Sequence, residues 1–265
     1  MNKFIEFLTL LFNEGLSYSS LNTARSAISS FTWVQNKSIG SHYLVSKFMK
    51  GVFNLRPALP KATVTWDTGI VLNFLKTWHP AKNLSLLQLS MKVILILLIT
   101  GQRGQTVWEM DLKNITFESD CVTCSFGNPL KTSTIKHHQS ELVLKAYPED
   151  KSLCVVYYLK EYIKRTKILR KKGGGSKLFI MTREPYTPVS RDTIARWTKT
   201  GLMKSGINMK IFTPHSTRAA STSKAKQSVQ LSTILKTAGW RRASTFATFY
   251  DKKISDEGWS VKNLQ

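Results

Sequence analysis

Within the stretch FTPHSTRAAS, residues 212–221, His215 and Arg218 stand three positions apart among hydroxyl side chains. On a helix, positions i and i+3 share a face, so the pair would present an imidazole and a guanidinium to one ligand. That combination suits an anionic group with several oxygens, most simply a phosphate. The same residues would also serve as a solvated helix start carrying a chance His and Arg. The rest of the chain has to decide.

Other polar or aromatic residues stand where elements end: Arg103 after an apolar run, Lys131 in a turn between strand-like segments, Trp240 after Gly239, and Tyr250 near the end of an amphipathic stretch. Taken singly, each has an ordinary reading as a surface or packing residue. A metal site is the competing chemistry. Cys121-Val-Thr-Cys124 has a zinc-like spacing, and His137 and His138 follow. CVTCSF reads as a strand, however, and residues i and i+3 of a strand point to opposite faces. The chain also lacks a Gly-rich phosphate loop and a clustered carboxylate set.

Charge narrows the partner. The 265 residues carry 39 Lys and Arg against 16 Asp and Glu, a formal net charge of +23. The excess is concentrated in residues 151–265, where 24 basic residues face 6 acidic ones, against 15 and 10 in residues 1–150. A folded unit that basic belongs beside a polyanion or a negatively charged surface, and nucleic acid is the leading candidate, because its phosphates supply a dense line of fixed charge. A membrane is not expected as partner: the most apolar run, VILILLI at 93–99, is far short of the roughly 20 residues a bilayer requires. The N-terminus carries Glu6 within its apolar stretch and lacks a small-residue cleavage site, which argues against a signal peptide. Three cysteines without framework spacing indicate a reducing compartment.

These residues need a scaffold, and hydropathy periods outline a mainly α fold with one small antiparallel sheet (α+β). Residues 4–16, a segment from Ser17, and residues 42–53 read as three helices of a small all-helical unit. RPALPKATVTWD, with Pro57 and Pro60, reads as a linker. The implied division is a helical unit at 1–60 and a larger unit at 61–265. In the larger unit, Trp66–Trp78 and Leu84–Thr100 read as helices, the second stopped by Gly101. The period then changes to two through NITFESDCVTCSFGNPLKTSTIKHHQSELVLKAY, predicting about three strands. Helix returns from Lys151, KLFIMT reads as a short strand, and helices follow at SRDTIARWTKTGLMKSG, from HSTR, at VQLSTILKTAG and at STFATFYDKK. The last is expected to carry Phe246, Phe249 and Tyr250 on one face.

The order of the polar residues is distinctive: Arg103, a turn lysine 28 residues later, His-x-x-Arg, a Trp after Gly, and a Tyr ten residues on. It resembles the tyrosine recombinase (phage integrase) family. The matching stretches are TGQRGQT, PLKTS, TPHSTRAAS, AGW and TFATFY, within roughly residues 62–253. Their wording is most like recombinases of eukaryotic mobile elements such as DIRS-type retrotransposons and Cryptons. The resemblance implies a site-specific enzyme that cuts and rejoins double-stranded DNA as a dimer or tetramer, without metal or nucleotide. Tyr250 would attack the phosphate, and Arg103 and Arg218 would hold its oxygens. His215 would orient the phosphate and help move the tyrosine proton. Lys131 would protonate the leaving 5′-oxygen, and Trp240 would donate its N–H to phosphate or buttress Tyr250. It also implies that residues 1–60 form the family's core-binding domain, for which the unit looks short.

One position departs from the family. An acidic residue usually follows the first arginine by one helical turn; here Thr106 stands there, with Glu109 a turn later as a possible substitute. A type IB topoisomerase, or a DNA-binding protein that has kept the fold without the reaction, are the alternative readings. The run KRTKILRKK at 164–172 reads either as a DNA-contacting helix end or as a nuclear-import signal, and the nucleus is the expected location.

Overall fold

The computed structural model describes residues 1–58, 63–131, 133, 135, 138–173 and 175–255. The chain forms two compact units, Met1–Lys61 and Ala62–Gln265.

The first unit packs α1 (Asn2–Asn13), α2 (Tyr18–Ser29) and α3 (Tyr43–Leu55) around Phe4, Leu8, Leu21, Val45, Met49 and Val52. Ser17 caps α2 by accepting from the Ser20 N–H. The unit is not all helical: Trp33–Val34 (β1) and Lys37–Ser38 (β2) form a short antiparallel hairpin. Its turn residues Gln35 and Asn36 both have positive φ, the left-handed backbone such two-residue turns require.

The second unit opens with Val64–Trp66 (β3) and α4 (Thr68–Lys76), capped by Asp67. Trp66 therefore belongs to a strand and not to the helix expected from it. The single helix expected over 84–100 is two, α5 (Leu86–Met91) and α6 (Ile94–Thr100). At the junction, Val93, Leu95 and Ile96 bond three residues back instead of four. Lys92 sits there, 3 % exposed, its Nζ donating to the Leu75 and Ser152 carbonyls at 2.7 and 2.9 Å and lying 3.9 Å over the Tyr158 ring. Residues Ile94–Leu98 of α6 are buried, at the centre of the main core.

Gly101 ends α6 at φ +60°, and α7 (Gly104–Glu109) follows. The sheet is antiparallel, with Ile115–Phe117 (β4), Cys121–Ser125 (β5) and Glu141–Lys145 (β6) in that order. Five helices follow: α8 (Val155–Thr166), α9 (Arg170–Gly173), α10 (Arg191–Lys204), α11 (Ser216–Ala225) and α12 (Leu231–Ala238). The chain then forms α13 (Ala243–Phe249) and Lys253–Ser255 (β7). KLFIMT supplies only isolated bridges, Asp111 to Lys177 and Ile180 to Pro188, so its apolar side chains pack without a ladder. The fold is mainly helical, and its largest sheet is the small antiparallel one of β4–β6. A parallel pairing of β3 with β7, which no periodicity announced, joins the two ends of the unit.

The basic run at 164–172 is partly structural. Arg165 donates to the carbonyls of Leu84, Ala81 and Lys82, and Arg170 to those of Lys177 and Leu178. Lys164, Lys167 and Lys171 stay exposed. Among the described residues, no helix is long and apolar enough to cross a membrane.

Candidate active site

Helix α11 is unusual in burying polar residues along its length: Thr217, Arg218, Ser221, Thr222 and Ser223 all lie inside. Each hydroxyl finds a carbonyl. Thr217 donates to Pro214, Thr222 to Arg218, Ser221 to Leu98 and Ser223 to Tyr250. Small hydroxylated side chains let α11 approach α6 closely while leaving no hydroxyl unsatisfied. Gly101 shows how close: a Cβ there would lie 2.6 Å from Thr222 Cγ2.

Arg218 lies at the centre, with no exposed surface. Its two terminal nitrogens donate to the Gly101 and Ala238 carbonyls at 2.6 and 2.8 Å. Its guanidinium carbon lies 4.0 Å from the Trp240 ring centre and 5.2 Å from that of Tyr250. Burial and the neighbouring Arg103 charge lower its pKa to about 9, partly offset by the Tyr250 hydroxyl; at neutral pH it stays cationic. Arg218 Nε and Trp240 Nε1 are buried and unpartnered among the described residues. Neither carbonyls nor an indole face neutralise a buried guanidinium, and such a charge is costly without a counter-ion.

His215 stands at the N-cap of α11 and not within it, so it flanks Arg218 from the preceding turn. Its Nε2 lies 3.2 Å from the Tyr250 hydroxyl. The residue is exposed overall, but desolvation of its ring lowers its pKa, and the charges of Arg218, Arg103 and Lys131 lower it further. Among the described residues, every charge that shifts this imidazole is positive.

Tyr250 follows α13 as its C-cap, outside the helix proper. Ser223 grips the backbone on both sides of it, donating to the Tyr250 carbonyl at 2.7 Å and accepting from the Lys252 N–H at 3.0 Å. Trp240 packs on the phenol ring at 4.7 Å. Phe246 is buried below, whereas Phe249 is largely exposed, contrary to the shared face expected for the three aromatics. Phe246 packs on Trp240 at 5.6 Å, and the helix stops at Phe249, so Tyr250 sits outside it.

Arg103 is the N-cap residue of α7, partly exposed, and its side chain has no hydrogen-bond or ion-pair partner among the described residues. Lys131 is exposed in a turn of the β5–β6 connection. Its backbone N–H reaches the Gln105 side-chain oxygen at 3.2 Å. Lys136 and His137 lie outside the described residues. All six residues singled out from sequence thus meet at one place: four in direct contact, and Arg103 and Lys131 near enough for their charges to act on His215.

The departure at Thr106 has a structural answer. Its hydroxyl donates to Gln102 Oε1 at 2.9 Å, and Gln102 Nε2 donates to Gln139 Oε1 at 2.8 Å and to the Thr237 carbonyl at 2.6 Å. A buried neutral network braces the corner. Glu109 does not substitute for the acid: it pairs with Lys177 at 2.9 Å and Arg191 at 3.7 Å, and those two cations flank the Trp108 ring. Gln102, Gln105 and Ser223 escaped the sequence reading, although QRGQT places both glutamines beside Arg103 in plain view. Cys124 is buried and its pKa is raised to about 12 by that burial, Cys121 Sγ donates to Glu118 Oε2 at 3.3 Å, and His138 is committed to the Phe126 carbonyl and Ser133.

Residues 71–255 match the sequence model of the phage integrase family. The chain belongs to the phage integrase family. No curated protein matches it at the sequence level. Solved structures similar to this integrase-family chain include XerH site-specific recombinase bound to palindromic difH substrate in a post-cleavage complex. There the identity is 16 % and the TM-score 0.58, over 91 % of this chain and 65 % of that one. The Tn1549 transposon integrase with transposon right-end DNA aligns at 16 % identity and TM-score 0.59, over 94 % and 80 % of the two chains. A lambda integrase dimer on a COC′ core site aligns at 17 % and 0.55, over 100 % and 67 %. The chain spans a little under two thirds of the XerH chain. At such identities the likeness shows a common fold.

Proposed function

We propose that this integrase-family chain cleaves and rejoins double-stranded DNA through a 3′-phosphotyrosyl intermediate. The observation that carries the proposal is the His215–Tyr250 contact, 3.2 Å, inside a cluster of Arg218, Arg103 and Lys131. The Tyr250 oxygen would form a bond to phosphorus as the phosphorus–O5′ bond breaks. The phenol proton would pass to His215 Nε2, and Lys131 would give a proton to the departing 5′-oxygen. Arg103 and Arg218 would hold the non-bridging oxygens, which repays the burial of the unneutralised Arg218 charge. Trp240 would keep Arg218 flat beneath it and Tyr250 upright.

Incubation with a DNA duplex nicked near the cleavage site is the direct test, because the short product diffuses away and traps the adduct. Tyr250→Phe should form none. An unmodified parent protein on such a substrate would leave only a DNA-binding role. Affinity for duplex DNA should fall by about 10³–10⁵ between 50 and 200 mM salt if six to ten phosphates are neutralised. The motif wording supports origin in a eukaryotic mobile element of the DIRS or Crypton kind, with residues 1–60 as the core-binding domain. Assembly as a dimer or tetramer on DNA belongs to the same reading, supported by the lambda integrase structures, a dimer on core-site DNA and a tetramer on a Holliday junction. Exposed Lys164, Lys167 and Lys171 support nuclear import, and a fluorescent fusion that stays cytoplasmic would count against it.

A further inference from the structure

Lys131 stands in the connection between β5 and β6, residues 126–140, which is long for a hairpin. Two sets of bonds shape it. Inside the loop, Leu130 N–H donates to Ser133 Oγ at 2.9 Å and Ser133 N–H to the Leu130 carbonyl at 2.8 Å. Ser133 Oγ lies 2.8 Å from His138 Nδ1, and His138 Nε2 lies 3.0 Å from the Phe126 carbonyl. A carbonyl only accepts, so Nε2 carries a proton toward Phe126, and Nδ1 is left to pair with the Ser133 hydroxyl. This circle shapes the turn but does not fix where the turn stands relative to the phosphate clamp. Leu130, in the main core, anchors the loop by its side chain, and Gln102 anchors its far end through Gln139.

The bond that reaches Lys131 itself comes from Gln105, whose Oε1 accepts the Lys131 N–H at 3.2 Å. Gln105 lies in the first turn of α7, two residues after Arg103. We propose that Gln105 is a positioning residue that fixes the reach of Lys131, so that proton donor and phosphate clamp are carried on one rigid turn. The inference rests on Lys131 being the general acid. Gln105 touches neither substrate nor reacting atoms; it acts through the backbone of Lys131. An amide suits the task better than a carboxylate, because it accepts the N–H without drawing the Lys131 or Arg103 charge away from phosphate.

The test compares Gln105→Met, close in volume but without an acceptor, with Lys131→Ala and the parent on two nicked duplexes. One has ordinary chemistry, and the other has sulfur in place of the bridging 5′-oxygen, a leaving group that needs no proton. Gln105→Met should slow adduct formation on the oxygen substrate by about 10–100-fold, the scale on which small misplacements act. On sulfur it should run within about threefold of the parent, as should Lys131→Ala. Hydrogen exchange of the Lys131 amide should quicken in Gln105→Met while β5 and β6 stay protected. Equal slowing on both substrates, or none on either, would overturn the positioning role, as would unchanged exchange at Lys131. Sulfur rescue of Lys131→Ala without rescue of Gln105→Met discards Gln105 alone. Failure of sulfur to rescue Lys131→Ala discards the general-acid reading, and this inference with it.

Discussion

His215 and Tyr250 meet edge to face, ring centres 6.0 Å apart at 70°, with the imidazole Nε2 3.2 Å from the phenol oxygen. A proton can pass in this arrangement only while the imidazole is neutral. Burial and then three surrounding cations favour that state, lowering its pKa below the ordinary value near ~6.5. The sign follows for stability. As pH falls through about 6.5, the unfolded chain takes up a proton that the folded chain resists, so the contribution of His215 is present above that pH and lost below it. An NMR titration of the free protein should find His215 below ~6.5, and a value at or above it would contradict the electrostatics described. Oligonucleotide binding should raise it, because phosphate cancels the cations.

Arg218→Lys tests whether charge alone suffices. A lysine cannot donate to both the Gly101 and Ala238 carbonyls while lying flat under Trp240. Unfolding in denaturant should show a loss of about 2 kcal/mol, from two charge-assisted bonds and the ring contact. Adduct formation should fall by about 10²–10³-fold. A variant with parental rates would remove Arg218 from the clamp.

Gly101→Ala should destabilise the unit by about 2–4 kcal/mol. The left-handed backbone at φ +60° contributes about 1 kcal/mol, and the approach to Thr222 Cγ2 supplies the rest. Thr222→Ser removes that methyl and keeps the hydroxyl bonded to the Arg218 carbonyl. The double variant should therefore recover part of the loss, measured as coupling in a double-mutant cycle. Additive effects would mean that the methyl is not the obstacle.

Lys92 provides a separate pH signature. Burial lowers its pKa to about 7, although the Asp150 charge favours the ammonium. The unfolded side chain titrates near ~10.4. Between those values the unfolded chain holds a proton that the folded chain does not, so stability from this residue rises as pH climbs from 7. In thermal melts from pH 7 to 9, Lys92→Met should flatten that rise. Parallel curves for parent and variant would show that Lys92 does not titrate in this range.

The helices and the sheet were legible because their hydropathy periods are strong, and the site was legible because its six residues fall at element ends in a distinctive order. The misreadings share a cause: the deciding partner is distant in sequence. Lys92 looks like a surface lysine until Leu75 and Ser152 offer their carbonyls, and the helix expected through it is interrupted at that point. Arg165 and Arg170 look like solvated charge until five carbonyls, and the Thr166 hydroxyl at 3.2 Å from Arg170 Nε, claim them. VTW and KIS are too short to carry a period, so β3 and β7 could not be found. Glu109 could stand in for the missing acid on spacing alone, yet Lys177 and Arg191 hold it elsewhere.

The pairing of Val64 with Lys253, and of Trp66 with Ser255, has a consequence for how the protein is made. The strand that follows Tyr250 finds its partner at the start of the same unit, so Tyr250 is seated by a contact between segments of that unit made early and late. Such non-local closure comes late in folding. A nascent or prematurely terminated chain that has already formed α11, with Arg218 and His215 in place, has no tyrosine to present. Under the proposed reaction, the ability to break DNA would be withheld until synthesis has passed residue 255, and shorter products would be at most passive binders.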